Sequence, residues 1–215
     1  YERNEIKVLK FVKDENDILE IDGFDVLISN FTNNENLMEE DYFENDDWSS
    51  SGFVMKMGMS KEFRELSNHN ILFSVNYEKE FIDIFKNELP PEDMTIYISI
   101  SSKDNVIDAP EGCENWFVLV NVPCLSDKFE WTDENKAIYS NKIINRIDSF
   151  SYIFDESIRN HISFCEIYTP KDFAEKLNCE KGSLYGLSSN SMYTLMKRPG
   201  NKSRRYNNLF ITGGN

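Results

Sequence analysis

Two histidines, four cysteines and one run of carboxylates are the side chains of this 215-residue chain suited to acid–base, nucleophilic or metal chemistry. His69 stands in "SNHNILFS", just ahead of an apolar run, and His161 in "RNHISF". A general base needs a partner within hydrogen-bond reach, and neither segment supplies one in sequence, so both histidines read as structural or surface residues. Ser183 in "KGSLYG" and Ser191 lie outside a G-x-S-x-G elbow, because Gly182 and Gly186 flank Ser183 at the wrong spacing. Cys113, Cys124, Cys165 and Cys179 are separated by 11, 41 and 14 residues, with no C-x-x-C pair. They read as free thiols of a reducing cytoplasm and not as zinc ligands. The carboxylates Glu39, Glu40, Asp41, Glu44, Asp46 and Asp47 lack the alternating ligands and glycine of a calcium loop, which favours a solvated helix and loop over a metal site. Glycines 58, 112, 182 and 186 are scattered, so no G-x-G-x-x-G or P-loop is present.

The elements that would position these residues follow from apolar periodicity. Ile6–Val12 and Ile18–Gly23 alternate as two strands around a polar turn, and the continuous run Phe24–Asn30 predicts a strand buried on both faces. Strands are also expected over Gly52–Gly58, Asn70–Ser74, Thr95–Ile100, Trp116–Val122 and Ile162–Tyr168. Tyr77 to Phe85 places Phe81, Ile84 and Phe85 on one side of a helix. Thr132 can cap a second helix, with Asp133 and Glu134 in its first turn and Tyr139, Ile143, Ile147 and Phe150 at helical spacing. Pro170 can open a short helix that runs to Leu177. This order predicts an α+β fold, with a mixed, mainly antiparallel sheet and flanking helices.

Bulk properties bound the partners. A formal charge of −15 argues against nucleic acid, which needs clustered lysine and arginine. The one basic cluster, Lys197, Arg198, Lys202, Arg204 and Arg205, is a local patch. No apolar stretch approaches the roughly 20 residues that span a bilayer. The chain opens on Tyr1 with no leader pattern, which suggests a piece of something longer. Tyr168, Phe173, Tyr185 and Tyr193 crowd the last quarter beside Leu184, Leu187, Met192, Leu195 and Met196. Such a cluster suits ordinary core or the lining of a long apolar cavity, and pattern leaves both open.

Three segments, read in order, carry a family resemblance. "FDVLISN" matches an acid-x-Val-Ile-Ser-Asn strand; "NHNILFSVNYEKEFIDIF" and "LPPEDMTIYISISSKDNVIDAPEGCENWFVLVNVP" follow; "YTPKDFAEKLNCEKGSLYGL" and "KRPGNKSRRYNNLFITGG" close the series. Together they resemble the flavin-dependent carotenoid desaturases, the phytoene and dehydrosqualene desaturase family of amine-oxidase-type flavoproteins. The resemblance runs over about residues 24 to 214.

It implies residues 1–50 as strands and an acidic connection of a flavin domain, 51–195 as a substrate-binding domain, and 196–215 as a return strand to the flavin domain. It implies FAD as cofactor, with Ser29, Asn30, Gly213 and Gly214 as its neighbours, and Tyr168, Phe173, Tyr185 and Tyr193 along the substrate tunnel. The implied activity is removal of hydrogen from a polyprenoid such as phytoene or dehydrosqualene, by a cytoplasmic enzyme in peripheral contact with a membrane. The −15 charge suggests that another part of the parent makes that contact. No individual residue is implied as catalytic, and the 215-residue piece is expected to be inactive alone. Departures such as Phe31 after Asn30, and Asn121-Val122-Pro123 in place of Pro-Val-Pro, keep a related carotenoid oxidase or saturase open. A non-enzymatic α+β module with an apolar pocket is the competing class, and a carboxylate-metal hydrolase built on Glu39 to Asp47 trails both.

Overall fold

The computed structural model describes residues 27–29, 48–150, 156–177, 179–186, 188, 202 and 209–211. The predicted strands Ile6–Val12 and Ile18–Gly23, and the carboxylate run Glu39–Asp47, lie outside the described residues. In chain order the elements are β1 (Leu27–Ser29), β2 (Ser51–Met59), β3 (His69–Leu72), α1 (Tyr77–Ile82), β4 (Ile96–Ser99), β5 (Glu114–Val122), α2 (Asp133–Asp148), β6 (Ile162–Tyr168), α3 (Pro170–Leu177) and β7 (Leu209–Ile211). Five strands form an antiparallel sheet in the order β3-β4-β5-β2-β6, and β1 pairs with β7 in parallel. This is the α+β architecture expected from the order of elements.

Strand alternation explains the main core. Phe53, Met55, Met57 and Met59 of β2 share one face with Trp116, Val118 and Val120 of β5 and with Ile96 and Ile98 of β4, and all are buried. Helix α2 covers this face with Tyr139, Ile143 and Ile147 at i, i+4, i+8. Its N-cap is Thr132, whose hydroxyl accepts from the Asn135 amide at 3.2 Å. Phe53 packs against Trp131 and Tyr139 at ring separations of 5.2 and 5.1 Å, joining strand, loop and helix.

Several boundaries differ from the periodic reading by one or two residues, and two of the differences have a polar reason. Strand β3 stops at Leu72, where the Ser74 amide turns to donate to Thr95 Oγ1 at 3.2 Å. The helix from Tyr77 changes pitch at Asp83 into a π-helical turn, Asp83–Asn87. That wider turn lets Asp83 accept from Lys79 and Asn87 while Ile84 points into the core.

A buried carboxylate anchors the sheet to the loop before β3. Glu114 accepts from the Phe63 amide at 3.0 Å and from Trp116 Nε1 at 2.7 Å, and pairs with Lys103 at 2.5 Å. Beyond α3, Gly182 is held at φ +68, and a Cβ there would lie 2.1 Å from the Pro170 carbonyl oxygen. Ser51 Oγ donates to the Gly182 carbonyl at 2.5 Å and ties this turn to β2.

Two substitutions test these anchors by urea denaturation. Glu114→Ala leaves Lys103 without its carboxylate partner, though still bonded to the Phe63 carbonyl, and two N–H groups without their acceptor, and a loss of about 3–5 kcal/mol is expected. Gly182→Ala forces a clash at positive φ, and a loss of more than about 1 kcal/mol is expected. Unfolding midpoints within error of the parent chain would refute either assignment.

Candidate functional site

The outer face of the sheet is where the apolar residues left over from the core collect. Cross-strand register aligns Ile71, Tyr97, Leu119, Val54 and Tyr168 in one row over all five strands. The next row holds His69, Ser99, Phe117, Lys56 and Glu166. At the β6 end, Phe173 of α3 and Leu184 of the following loop close over Val54, Leu119 and Tyr168, forming a second, small core. Gly52 permits this, because a Cβ at that position would lie 2.9 Å from Leu184 Cδ1. Lys56 sits 4.4 Å above the Tyr168 ring and Lys176 5.0 Å from it, so that ring is flanked by two cations.

The structure therefore brings together two of the residues expected along an apolar tunnel, Tyr168 and Phe173. Tyr185 follows Leu184 but is 55% exposed, and its amide donates to Ser49 Oγ at 3.1 Å. Tyr193, Asn30, Gly213 and Gly214 lie outside the described residues. Ser29 ends β1 and is in register with Ile211 of β7, the last described residue before Thr212, Gly213 and Gly214. Sequence reading missed Val54, Leu119, Tyr97 and Ile71 as a continuous floor. The signal was present in β5, where Phe117 and Leu119 interleave with Trp116, Val118 and Val120 and make both faces apolar.

Behind the edge of this floor lies a cleft of about 330 Å³ walled by Trp48, Ile84, Phe85, Pro123 and Leu125, with Glu88, Cys124 and Lys181 among its polar residues. Burial pushes the Cys124 thiol up to about 12, against the opposing pull of Lys181. Its Sγ–H donates to the Ser49 carbonyl at 2.9 Å, so it stays a thiol and not a nucleophilic thiolate.

Acid–base chemistry finds little support elsewhere among the described residues. His69 Nδ1 lies 2.7 Å from Tyr97 Oη, and the two rings stack at 6.0 Å. His161 Nε2 contacts Glu156 at 2.8 Å and packs edge-on to Phe63. Hydrogen bonds from Lys61 and His161 hold the Glu156 carboxyl at about 2, and one from Lys79 lowers Asp83. Burial raises Cys165 and Tyr139. Each of these groups is driven further into its ordinary charge state at neutral pH, which suits structure more than proton transfer. Cys113, Cys124 and Cys165 are free thiols. Among the described residues no group of three His, Cys, Asp or Glu side chains gathers as a metal site, and no helix is long and apolar enough to cross a membrane.

No family model matches the chain. Comparison with curated proteins finds similarity to the 1-hydroxycarotenoid 3,4-desaturase of a Flavobacterium species, 36% identical over 166 residues, covering 77% of this chain and 33% of that protein. The 4,4'-diaponeurosporene oxygenase of Staphylococcus haemolyticus is 30% identical over 166 residues, covering 77% of this chain and 32% of its own length. The corresponding oxygenase of Staphylococcus aureus is 28% identical over the same length, with 77% and 33% covered. The chain thus spans about one third of the length of the curated relatives it matches. An apolar sheet floor closed at one end by α3 and the Gly182–Leu184 turn accompanies this similarity to carotenoid desaturases and oxygenases.

Proposed function

We propose that this chain is part of an FAD-dependent oxidoreductase that desaturates a polyprenoid of the phytoene or dehydrosqualene type, and that its outer sheet face floors the substrate tunnel. The observation that carries this reading is the apolar row Ile71, Tyr97, Leu119, Val54 and Tyr168 across five strands, open to an extended apolar chain at its Ile71–Tyr97 end and roofed by Phe173 and Leu184 over Val54, Leu119 and Tyr168. Phe173 and Leu184 wall one end, and Tyr185 follows Leu184, with Tyr193 further along the sequence as the remaining residue assigned to the lining in this reading. The relatives' names speak of carotenoids, consistent with a substrate that offers almost nothing to hydrogen-bond. Such a substrate explains why the histidines and carboxylates of this piece serve structural partners.

The fit to a flavin rests on the other sheet. Strands β1 and β7 run parallel, so their carboxyl ends leave at the same edge, Ser29 running on to Asn30 and Ile211 to Gly213 and Gly214. Ligands of parallel sheets bind outside the carboxyl ends of strands, and paired glycines allow close backbone approach. These four residues would neighbour the cofactor, and FAD when bound supplies the hydride acceptor. The chain's own part is to hold the polyprene against the floor, to exclude water and to fix which carbon–hydrogen bond is presented. Since carotenoid precursors partition into bilayers, the parent works in peripheral contact with a membrane.

A second reading, a carotenoid oxygenase on the same floor, is favoured by the names of the two staphylococcal relatives. Pigment analysis separates the two. The complete parent protein, expressed with phytoene and separately with dehydrosqualene, should purify yellow with a flavin spectrum and yield more conjugated hydrocarbons. Oxygenated products would favour the second reading. Ile71→Glu places a charge in the open part of the floor, and at least about a tenfold loss of pigment with the flavin spectrum retained is expected. The 215-residue chain alone should bind FAD more weakly than micromolar in a titration. A colourless parent that FAD cannot reconstitute would reject the proposal in favour of a binding module.

A further inference from the structure

The apolar row of the outer sheet face is open at one end and shut at the other, and residues of this chain do the shutting. Ile71 on β3 is 52% exposed, whereas Val54 on β2 is 4% exposed beneath Phe173 and Leu184. Strand β3 is an edge of the sheet, and β5 lies two strands in from it. Neighbouring strands are about 4.8 Å apart, so the unroofed stretch from β3 to β5 measures about 10 Å. A polyprenoid of the phytoene type is far longer than this. Only one end of such a chain can therefore lie on the row.

What shuts the far end is held in place from several sides. Phe173 stands on α3, whose start is fixed where Asp172 accepts from the Thr169 amide and hydroxyl at 2.8 Å. Leu184 is held by its backbone: its amide donates to the Ser50 carbonyl at 3.2 Å, and the next amide, of Tyr185, donates to Ser49 Oγ at 3.1 Å. Its contact with the floor is close enough to need a glycine, since a Cβ on Gly52 would lie 2.9 Å from Leu184 Cδ1 and 3.4 Å from Leu119 Cδ1. Side chains packed this closely give way only at the cost of strained rotamers.

Charge closes the same end a second way. Tyr168 lies on β6, the last strand of the sheet, with Lys56 4.4 Å above its ring and Lys176 5.0 Å from it. Both lysines are exposed. A hydrocarbon pushed past Leu184 would strip water from these ammonium groups and offer no hydrogen bond in return.

We infer that Phe173 and Leu184 form a terminal stop: the end of the polyprenoid slides along the Ile71–Tyr97 part of the row, meets these two side chains over Leu119, and is measured from there. On this assignment Leu184 determines specificity, because the position of the stop sets which chain length is accepted and which carbon–hydrogen bond is presented to the hydride acceptor. The assignment rests on the polyprenoid reading of function, and adds to it the residue that fixes register.

The complete parent, supplied with dehydrosqualene and the longer phytoene together, tests the stop through the ratio of products from the two. Leu184→Ala deepens the pocket and should move that ratio about tenfold toward phytoene products, the scale on which an apolar pocket discriminates a methylene. Leu184→Phe and Gly52→Ala work in the opposite sense. The first lengthens the stop, the second pushes the Leu184 side chain off its seat and over the row, and both should favour dehydrosqualene. These two keep the roof apolar, so they supply the reading if Leu184→Ala loses the flavin spectrum. A ratio unmoved by a variant that retains the flavin spectrum, or moved the same way by Leu184→Ala and Leu184→Phe, would overturn the stop while leaving the functional reading intact. A wild-type parent that makes no pigment from either precursor would reject the functional reading and the stop with it.

Discussion

Strand β2 is hydrogen-bonded along both edges and buries residues on both faces, and the rest of the five-stranded sheet is arranged around that double demand. Its nine residues pair with β5 on one side, and six of them, Val54 to Met59, pair with β6 on the other. Lys56 alone among them is exposed, on the outer face. Phe53, Met55, Met57 and Met59 are satisfied by α2, and Val54 by the smaller cover of α3 and Leu184. The two covers differ in extent, since α2 is a sixteen-residue helix and α3 has eight residues. The shorter one leaves the β3–β4–β5 part of the outer face open. An apolar floor with one closed end is thus a geometric consequence of packing a long and a short helix on opposite faces of one sheet.

Acidity works inside this molecule as well as on its surface. Glu114 joins β5 to the Phe63 loop, Glu80 joins α1 to Thr95, and Asp172 accepts from the Thr169 amide and hydroxyl at 2.8 Å to fix the start of α3. Asp148 does the same at the far end of α2, accepting from the Ile158 amide and Ser157 Oγ at 2.8 Å. Each carboxylate satisfies backbone donors that strand or helix ends leave orphaned, where charge-assisted hydrogen bonds are strongest. Several of the acidic residues behind the −15 total are therefore internal staples, and net charge alone says little about any one face.

Local chemistry was legible wherever a single residue type forces the backbone. Pro170 opened a helix that ends at Leu177, and Thr132 capped α2, both as their side chains dictate. Strands β2, β5 and β6 followed from runs too apolar and too short for helices. Periodicity could not say which side of α1 faces in, because Phe81, Ile84 and Phe85 share a helical side and only Ile84 is buried. Hydrogen bonds to Glu80 from Ser74 and Thr95, outside the helix, decide the orientation instead. The floor was hidden for a different reason: it is a row across strands, and cross-strand register is invisible to a pattern read along one strand. Tyr168 and Phe173 were found because they are close in sequence, whereas Tyr97 and Ile71 reach the same face from far upstream.

The parallel pairing of β1 with β7 links the two ends of the described chain and constrains how the floor can be used. Leu27 is in register with Leu209 and Ser29 with Ile211, so segments about 180 residues apart form one small sheet. Parallel neighbours require a crossover, and here the entire antiparallel sheet with its helices is inserted as that crossover. A segment that starts and ends on paired strands is in general tethered at two adjacent points, which restricts its swing more than a single linker would. A polyprenoid on the outer face, as proposed, would then be held within a limited range of distances from the carboxyl ends of β1 and β7. For a substrate with no polar handles, such double tethering can supply the positioning that hydrogen bonds provide in polar sites.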